Sequence, residues 1–199
     1  DCWGVSTDEL PLVSLCLELQ TDHDATEIVL GAYDPSAFET IRSRAIFIVL
    51  MMFLIEQQEA AQPVRTHPLP STRLFMLLAH LVEMPMLPGL FRARDEGLAE
   101  LPPDYFPNEA EMERYRSEVV APVFAASQLI AEAIKLPKLW DQIGGADVFF
   151  EDINRILIDN ADQPEAFVTV GAQEWARLKP LNDRLLRQLE DIRAEDPLL

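Results

Sequence analysis

The chain has 199 residues, of which 49% are apolar, and 34 acidic residues against 16 basic ones leave a net charge of −18. This length suits one domain or two small ones with a sizeable core. The charge argues against nucleic-acid binding, which needs a basic protein surface, and against attraction to an anionic membrane. The two cysteines form no disulfide framework, so we expect a reducing, cytoplasmic setting.

The first predicted element is a helix that begins near Thr7, whose hydroxyl can cap it. Cys16 lies on its inner face, where a cysteine usually packs as a small apolar residue. We predict that residues 21–24, TDHD, form a polar turn, and we interpret His23-Asp24 as part of that turn rather than as metal ligands. The inner face of this helix comprises Leu12, Leu15, Cys16 and Leu19.

A second helix is predicted after Ser36 and Glu39, which have the spacing of a capping box. Residues 45–55, AIFIVLMMFLI, contain no polar side chain, but a bilayer span needs about 20 residues. A helix that is apolar all round is typical of a central position, surrounded by other helices. Its methionines fill gaps in a core or, alternatively, line a lipid or cofactor pocket; that pocket would involve Phe47, Met51, Met52 and Met76.

Three prolines fall between residues 60 and 70 and predict a connecting loop. We divide the chain there into 1–62, a loop at 63–70, and a helical region at 71–199, with a single domain as the alternative. Because the first residue is Asp1 rather than Met, we expect an excised or processed piece of a larger protein. Ser71 is predicted to cap the next helix, which runs to about Glu83.

The chemistry-bearing residues form no recognisable catalytic motif. The histidines, His23, His67 and His80, lie far apart in the sequence, and we predict no metal site, cofactor or catalytic residue. The proline-rich residues 84–107 are predicted to be irregular. Tyr105 and Phe106, which stand among those prolines, are either an exposed recognition patch or a loop pinned onto the core.

Asn108 is predicted to cap a charged helix, and Pro122 to kink or restart the helix after it. Residues 119–160 then predict a helix, a short turn or helix, Gly144-Gly145 and a second amphipathic helix from about 147 to 159. We interpret this pair as the organising element of the chain. Further helices are predicted from about residue 163 to the end.

Part of this pair resembles a known repeat family. Residues 124–129 read FAASQL and are followed by Gly144-Gly145-Ala146 and then by residues 148–157. The segment resembles the joint between consecutive armadillo or HEAT-type repeats, and Gln128 stands where an armadillo groove has its peptide-binding asparagine. The residues Trp140, Phe149, Phe150, Asn154, Ile158 and Asp159 also resemble the helical core of U-box ubiquitin chain-elongation factors.

Together these patterns predict an all-α fold, either an irregular multi-helix bundle or a short armadillo-like superhelix. The predicted function is a protein-interaction module, a scaffold or adaptor, and the net charge favours a basic partner. Two alternatives stay open: a small-molecule or lipid carrier or helical enzyme with an apolar pocket around the 45–55 helix, and a structural piece of a larger assembly. The predicted binding residues are Tyr105, Phe106, Gln128, Trp140 and Asn154.

Overall fold

The computed structural model describes residues 5–59, 67–98, 102–136, 139–158 and 161–195, with the side chains of all but 59 and 190–195. These residues form helices and no strand, so the predicted all-α class is confirmed. The helices are α1 (Leu10–Leu30), α2 (Phe38–Glu59), α3 (Pro70–Glu83), α4 (Leu87–Asp95), α5 (Glu109–Tyr115), α6 (Ala121–Ala133), α7 (Leu139–Ile143), α8 (Ala146–Leu157) and α9 (Val170–Glu195).

Helix α3 lies at the centre of the structure. It packs against α1, α2, α7, α8 and α9, and nearly every side chain from Pro70 to Leu81 is buried. The 119–160 segment, which we interpreted as the organising pair, is divided between two contacts, since α6 packs on α2 while α8 packs on α3. The segments before and after the predicted 63–70 loop also pack together, because α1 lies against α9 and α2 against α6.

The first turn of α3 is polar and buried, so its groups need partners within the protein. The Glu174 carboxylate of α9 accepts from the Leu69 amide at 2.7 Å and from the Thr72 hydroxyl at 2.5 Å. The Ser71 hydroxyl, predicted as the cap, instead donates to the Gln142 side chain of α7 at 2.8 Å. The capping function therefore comes from α9, about a hundred residues away in the chain.

Helix α9 approaches α3 closely because Gly171 has no side chain. A Cβ atom there would lie 2.5 Å from the Ser71 carbonyl oxygen, which no real contact allows. The two backbones therefore touch at the beginning of both helices, where Glu174 reaches the Leu69 amide and the Thr72 hydroxyl.

Helix α1 is continuous, and the predicted turn at 21–24 is wrong. The Thr21 hydroxyl donates to the Leu17 carbonyl at 2.8 Å, and Gln20 donates to Asp24 at 2.6 Å, so these polar side chains bond along the helix. The helix begins after Glu9 rather than at Thr7. Of the predicted inner face, Cys16 and Leu19 are buried, whereas Leu12 is exposed.

Helix α2 lies at the surface, and its predicted central position is wrong. Ala45, Val49, Met52 and Phe53 are buried, but Phe47 is 56% exposed and Met51 is 42% exposed. The predicted capping box does not form either. Ser36 donates from its amide and hydroxyl to Asp34 at 2.8 and 2.7 Å, and α2 begins only at Phe38.

Residues 84–107 contain more helix than predicted, because Pro85 and Pro88 stand in the first turns of short helices, where proline costs no hydrogen bond. The predicted cap at Asn108 is confirmed, since its side chain accepts from the Glu111 amide at 3.0 Å. A π-helical turn at Arg116–Val120 joins α5 to α6 just before Pro122. The predicted short helix and amphipathic helix are α7 and α8.

One stretch of the described residues, Pro70–Asp95, is long and apolar enough to cross a membrane, with a mean hydropathy of 1.7 in its most apolar window. It is not the 45–55 segment considered from the sequence but α3 together with α4. Since 56% of that window is buried inside the protein, the stretch is compatible with the core helix of a soluble protein.

The Asp152 carboxylate of α8 is fully buried and holds the segment that leads into α9. It accepts from the Val168 amide at 3.0 Å and from the Thr169 amide at 2.7 Å. Arg155 donates to Asp152 at 3.1 Å and to the Ala166 carbonyl at 2.7 Å. One carboxylate therefore joins α8 to the beginning of α9.

We expect Asp152→Ala to lower the free energy of unfolding by about 3 kcal/mol, because the Val168 and Thr169 amides lose their acceptor and Arg155 loses one of its partners. Urea denaturation measures this change. The exposed Asp162, whose carboxylate accepts only from the neighbouring Gln163 side chain in the hydrogen bonds described, provides the control. Asp162→Ala should change stability by less than about 0.5 kcal/mol. Equal effects of the two substitutions would contradict the role of Asp152.

Glu9 links the beginning of α1 to α9. Its carboxylate accepts from Arg184 at 2.6 Å and from the Ser6 amide at 2.9 Å, and these bonds lower its pKa from 4.5 to about 2. A lowered carboxyl pKa stabilises the fold at pH values above the unfolded pKa, and that stability is lost as the pH falls through the folded pKa. The Glu9 contribution should therefore disappear between about pH 5 and pH 2.

We expect Glu9→Gln to lower stability most near neutral pH and to match the parent protein near pH 2. Urea denaturation across this pH range measures the difference. Arg184→Met should give the same pattern, and the double variant should lose little more than either single variant. A difference between parent and Glu9→Gln that stays constant with pH would contradict the ion pair.

Candidate functional site

The predicted patch at Tyr105 and Phe106 is half-buried against α4. The Tyr105 hydroxyl donates to the Glu96 carboxylate, and the Arg92 guanidinium lies 4.1 Å from the centre of the Tyr105 ring. A Cβ atom on Gly89 would meet the Tyr105 carbonyl, so this glycine allows the turn to sit on the helix. The sequence left two interpretations open, an exposed recognition patch and a loop pinned onto the core. This geometry fits the pinned loop.

The other predicted binding residues lie on three different helices. Gln128 on α6, Trp140 on α7 and Asn154 on α8 are all exposed. Asn154 also lines an open groove of about 320 Å³, which we name the α3/α8 groove. Its other lining residues are Val82, Arg116, Val120, Ala121 and Phe150.

The apolar pocket considered around the 45–55 helix is an open groove between α1 and α2. This outer groove has a volume of about 200 Å³. Phe47, Met51 and Ile55 form one wall at four-residue spacing, while Ala25 and Val29 form the other. Met76 does not line it; that side chain borders a small interior cavity of about 10 Å³, large enough for one water molecule.

A buried ion pair closes the inner end of the outer groove. Arg73 of α3 is 3% exposed and donates to both oxygens of Asp22 on α1, at 2.6 and 2.7 Å. Its remaining terminal nitrogen, Nη1, is buried without a hydrogen-bond partner among the described residues. The groove thus combines apolar walls with a paired, buried guanidinium among its lining residues.

On another face of α1, two histidines and a glutamate come together. One nitrogen of His23, one nitrogen of His80 and one Glu27 oxygen lie within 4.8 Å of one another. The His23 and His80 rings are 5.5 Å apart, edge to face, and Nε2 of His23 is 4.0 Å from the Glu27 carboxylate. Nδ1 of His23 is buried, has no hydrogen-bond partner in the described part of the chain, and lies 3.8 Å from the Asp24 carboxylate. We name His23, Glu27 and His80 the histidine cluster.

Burial and charge set the protonation of the groups at this cluster. Burial, and then the proximity of His23, lower the pKa of His80, so its imidazole is neutral at physiological pH. Burial raises the pKa of the Glu83 carboxyl group, which also interacts electrostatically with His23 and Glu27. A neutral imidazole is the form that binds metal ions.

The histidine cluster borders a mostly apolar groove of about 350 Å³, which we name the α1/α4 groove. Glu27 and His80 form part of its wall, so the cluster is accessible from solvent on that side. The remaining lining residues are Gly31, Ala32, Tyr33, Met84, Leu87, Pro88 and Phe91.

We assigned no metal ligand from the sequence, although two spacings could have marked these residues. His80 and Glu83 are three positions apart and His23 and Glu27 four, which places each pair on one face of a helix. The predicted turn at 21–24 concealed the second spacing. No sequence signal places His23 beside His80, because that contact depends on how α1 packs on α3.

The buried ion pair predicts an asymmetric response to substitution. Asp22→Ala should lower the free energy of unfolding by about 3–5 kcal/mol, because it leaves the Arg73 guanidinium buried and unpaired. Arg73→Met should cost less than about 1 kcal/mol, because an apolar side chain of similar length fills the space and the half-buried Asp22 can be hydrated. Urea denaturation measures both values.

The double variant Asp22→Ala/Arg73→Met serves as the control, and it should recover most of the stability that Asp22→Ala loses. If Arg73→Met is as damaging as Asp22→Ala, the packing of the arginine stem rather than its charge governs this position.

Comparisons with known proteins give no further guidance. No family model matches the chain, and no curated protein or solved structure matches it significantly. The resemblance of residues 124–157 to armadillo repeats and to chain-elongation factors therefore stays a prediction, and so does the role of Gln128 and Asn154. The functional interpretation of this chain thus depends on the geometry of the outer groove and of the histidine cluster.

Proposed function

We propose that the protein is an interaction module that binds a basic amphipathic helix of a partner protein in the outer groove. The observation that carries this proposal is the exposure of Phe47 and Met51 within residues 45–55 of α2, a segment without a polar side chain. Together with Ile55 these residues form a wall of three side chains spaced four residues apart. A groove between two helices lined in this way suits helix-in-groove recognition.

Helix α1 also exposes apolar side chains on its solvent side. Leu10, Leu17 and Ile28 fall on the side of α1 that is turned away from the core, and Ile28 is 81% exposed. Exposed apolar surface at a groove is typical of interaction sites, whereas scattered single residues are not. Helix α1 therefore offers contacts beside the groove as well as within it.

Charge favours a basic partner. Helix α1 and residues 45–59 of α2, which include both walls, contain six acidic residues and no lysine or arginine. The two basic residues of α2, Arg42 and Arg44, precede the lining residues. Arg73, the guanidinium at the inner end, is already neutralised by Asp22. A helix with lysine or arginine beside its apolar face would gain long-range attraction to this acidic face and to the chain as a whole.

The volume of the outer groove favours this proposal over the alternative of a small-molecule or lipid carrier. Pockets that enclose a small molecule usually have about 300–1,000 Å³, and the outer groove at about 200 Å³ is smaller and open. It accommodates side chains of a partner helix better than a whole ligand. A packed core with surface grooves supports the adaptor hypothesis, and we propose the cytoplasm as its setting because Cys16 is a buried free thiol.

Two designed peptides test the proposal. Both are amphipathic helices with the same leucine face, one with lysines and one with glutamates on the polar face. We expect the lysine peptide to bind in fluorescence anisotropy titrations, more weakly at high salt, and the glutamate peptide not to bind. Phe47→Ser/Met51→Ser should weaken binding at least about tenfold, since each lost apolar contact contributes on the order of 1 kcal/mol.

Leu129→Ser is the matched control, because Leu129 is 67% exposed on α6 and does not line the outer groove. It should bind the lysine peptide like the parent protein. Equal binding by the Phe47/Met51 variant would overturn the proposal. A second result would also overturn it: the parent protein binds a fatty-acid probe but neither peptide, and the Phe47/Met51 variant does not bind the probe. That result would favour the carrier alternative. Dimerisation that requires Phe47 would identify a second copy as the occupant.

A further inference from the structure

The histidine cluster carries an inference that is independent of the proposed groove. We propose that His23, Glu27 and His80 bind a divalent transition-metal ion of the Zn²⁺ class, with an open coordination position facing the α1/α4 groove. Two imidazoles and one carboxylate form a ligand set typical of zinc sites that keep a fourth position free.

The distances allow such a site with small side-chain movements. Zinc bonds of about 2.0–2.1 Å place neighbouring ligand atoms of a tetrahedral site about 3.3 Å apart. The three ligand atoms already lie within 4.8 Å of one another, and Nε2 of His23 and the Glu27 oxygen lie 4.0 Å apart. Glu27 is exposed and His23 is half-exposed, so rotation about their side-chain bonds can close this gap.

The backbone holds the ligands in place. His23 and Glu27 lie one turn apart on the long helix α1, and His80 projects from the buried helix α3. Sites on rigid helices preserve ligand geometry better than sites on loops. His80 is 7% exposed, so its position is set by packing.

Nearby groups also suit a bound cation. Nδ1 of His23 is buried without a hydrogen-bond partner among the residues that the structure describes, and it lies 3.8 Å from the Asp24 carboxylate. A small rotation would let it donate to Asp24, the carboxylate–histidine arrangement that orients metal-bound imidazoles. The Glu27 carboxylate supplies a negative charge to a divalent ion.

The adjoining groove indicates how a further ligand would reach the ion. Glu27 and His80 line its wall, together with apolar side chains that include Leu87 and Phe91. Water or an anionic group such as a carboxylate can occupy the fourth position, with an apolar body in the groove. The open fourth position distinguishes this site from structural zinc sites, in which the protein supplies all four ligands.

Isothermal titration calorimetry of the metal-free protein with Zn²⁺ tests the site directly. We expect one ion per chain, and a rise in melting temperature of about 5–10 °C when free Zn²⁺ reaches a hundred times the dissociation constant. Co²⁺ at the same site should show the intense visible absorption of a four-coordinate ion. Mg²⁺ should compete poorly, because it prefers oxygen ligands in an octahedral arrangement.

The variants His23→Gln and Glu27→Gln should each lower the affinity for Zn²⁺ at least tenfold and remove the Co²⁺ absorption. Both side chains are partly exposed, so these variants should keep the fold, which circular dichroism checks. His67→Gln is the matched control, because His67 pairs with Glu18 at 3.0 Å and lies outside the cluster. It should bind Zn²⁺ like the parent protein.

Weak binding of several ions per chain, unchanged in His23→Gln and Glu27→Gln, would overturn the proposal. That result would indicate nonspecific binding to the many carboxylates of an acidic chain. Loss of binding in the His67→Gln control would overturn it as well. The Phe47→Ser/Met51→Ser variant should bind Zn²⁺ normally, so failure of the metal site and failure of the outer groove can be told apart.

Discussion

The structure depends on the burial of a polar helix terminus at its centre. The first turn of α3 carries a serine, a threonine and an arginine, none of which reaches solvent. Each of these side chains is paired with a different helix: Ser71 with Gln142 of α7, Thr72 with Glu174 of α9 and Arg73 with Asp22 of α1. Because an unpaired buried polar group costs about 1–3 kcal/mol, these bonds select the helix arrangement that satisfies all three. Apolar packing alone would allow several arrangements of such helices.

This constraint also explains why an apolar surface remains on α1 and α2. Helix α1 is held on α3 by the Asp22–Arg73 pair and on α9 by Glu9 and Arg184, while α2 packs on α6. None of these contacts uses the outward faces of α1 and α2. Leu17, Ile28, Phe47 and Met51 therefore remain exposed although they lie in helices rich in apolar residues. Their exposure results from where α3 places its neighbours, and it favours a partner that covers them.

The sequence predicted local features well and tertiary ones poorly, for physical reasons. The Asn108 cap and the 139–157 helices depend on residues a few positions apart, and the structure confirms them. The turn predicted at 21–24 failed because Asp22 and His23 face partners on α3, which short-range propensity does not include. The 45–55 helix was placed at the centre because composition shows how apolar a helix is but not which faces find neighbours. Both candidate sites depend on these two regions. The sequence indicated an apolar pocket at Phe47, Met51 and Met52 but not its second wall on α1, and it did not place His23 beside His80.

The continuity of α1 through residues 21–24 places both sites on one helix. At about 100° per residue, the buried residues Cys16, Leu19, Thr26 and Leu30 mark a core stripe. Asp22, Ala25 and Val29 fall on one side of that stripe and line the outer groove, whereas His23 and Glu27 fall on the other side, toward α4. A turn at this position would rotate the residues after it and separate His23 from Glu27. The continuous helix therefore places the outer groove on one side of its buried stripe and the histidine cluster on the other. A metal ion that joined α1 to His80 would also hold α1 in this position on α3.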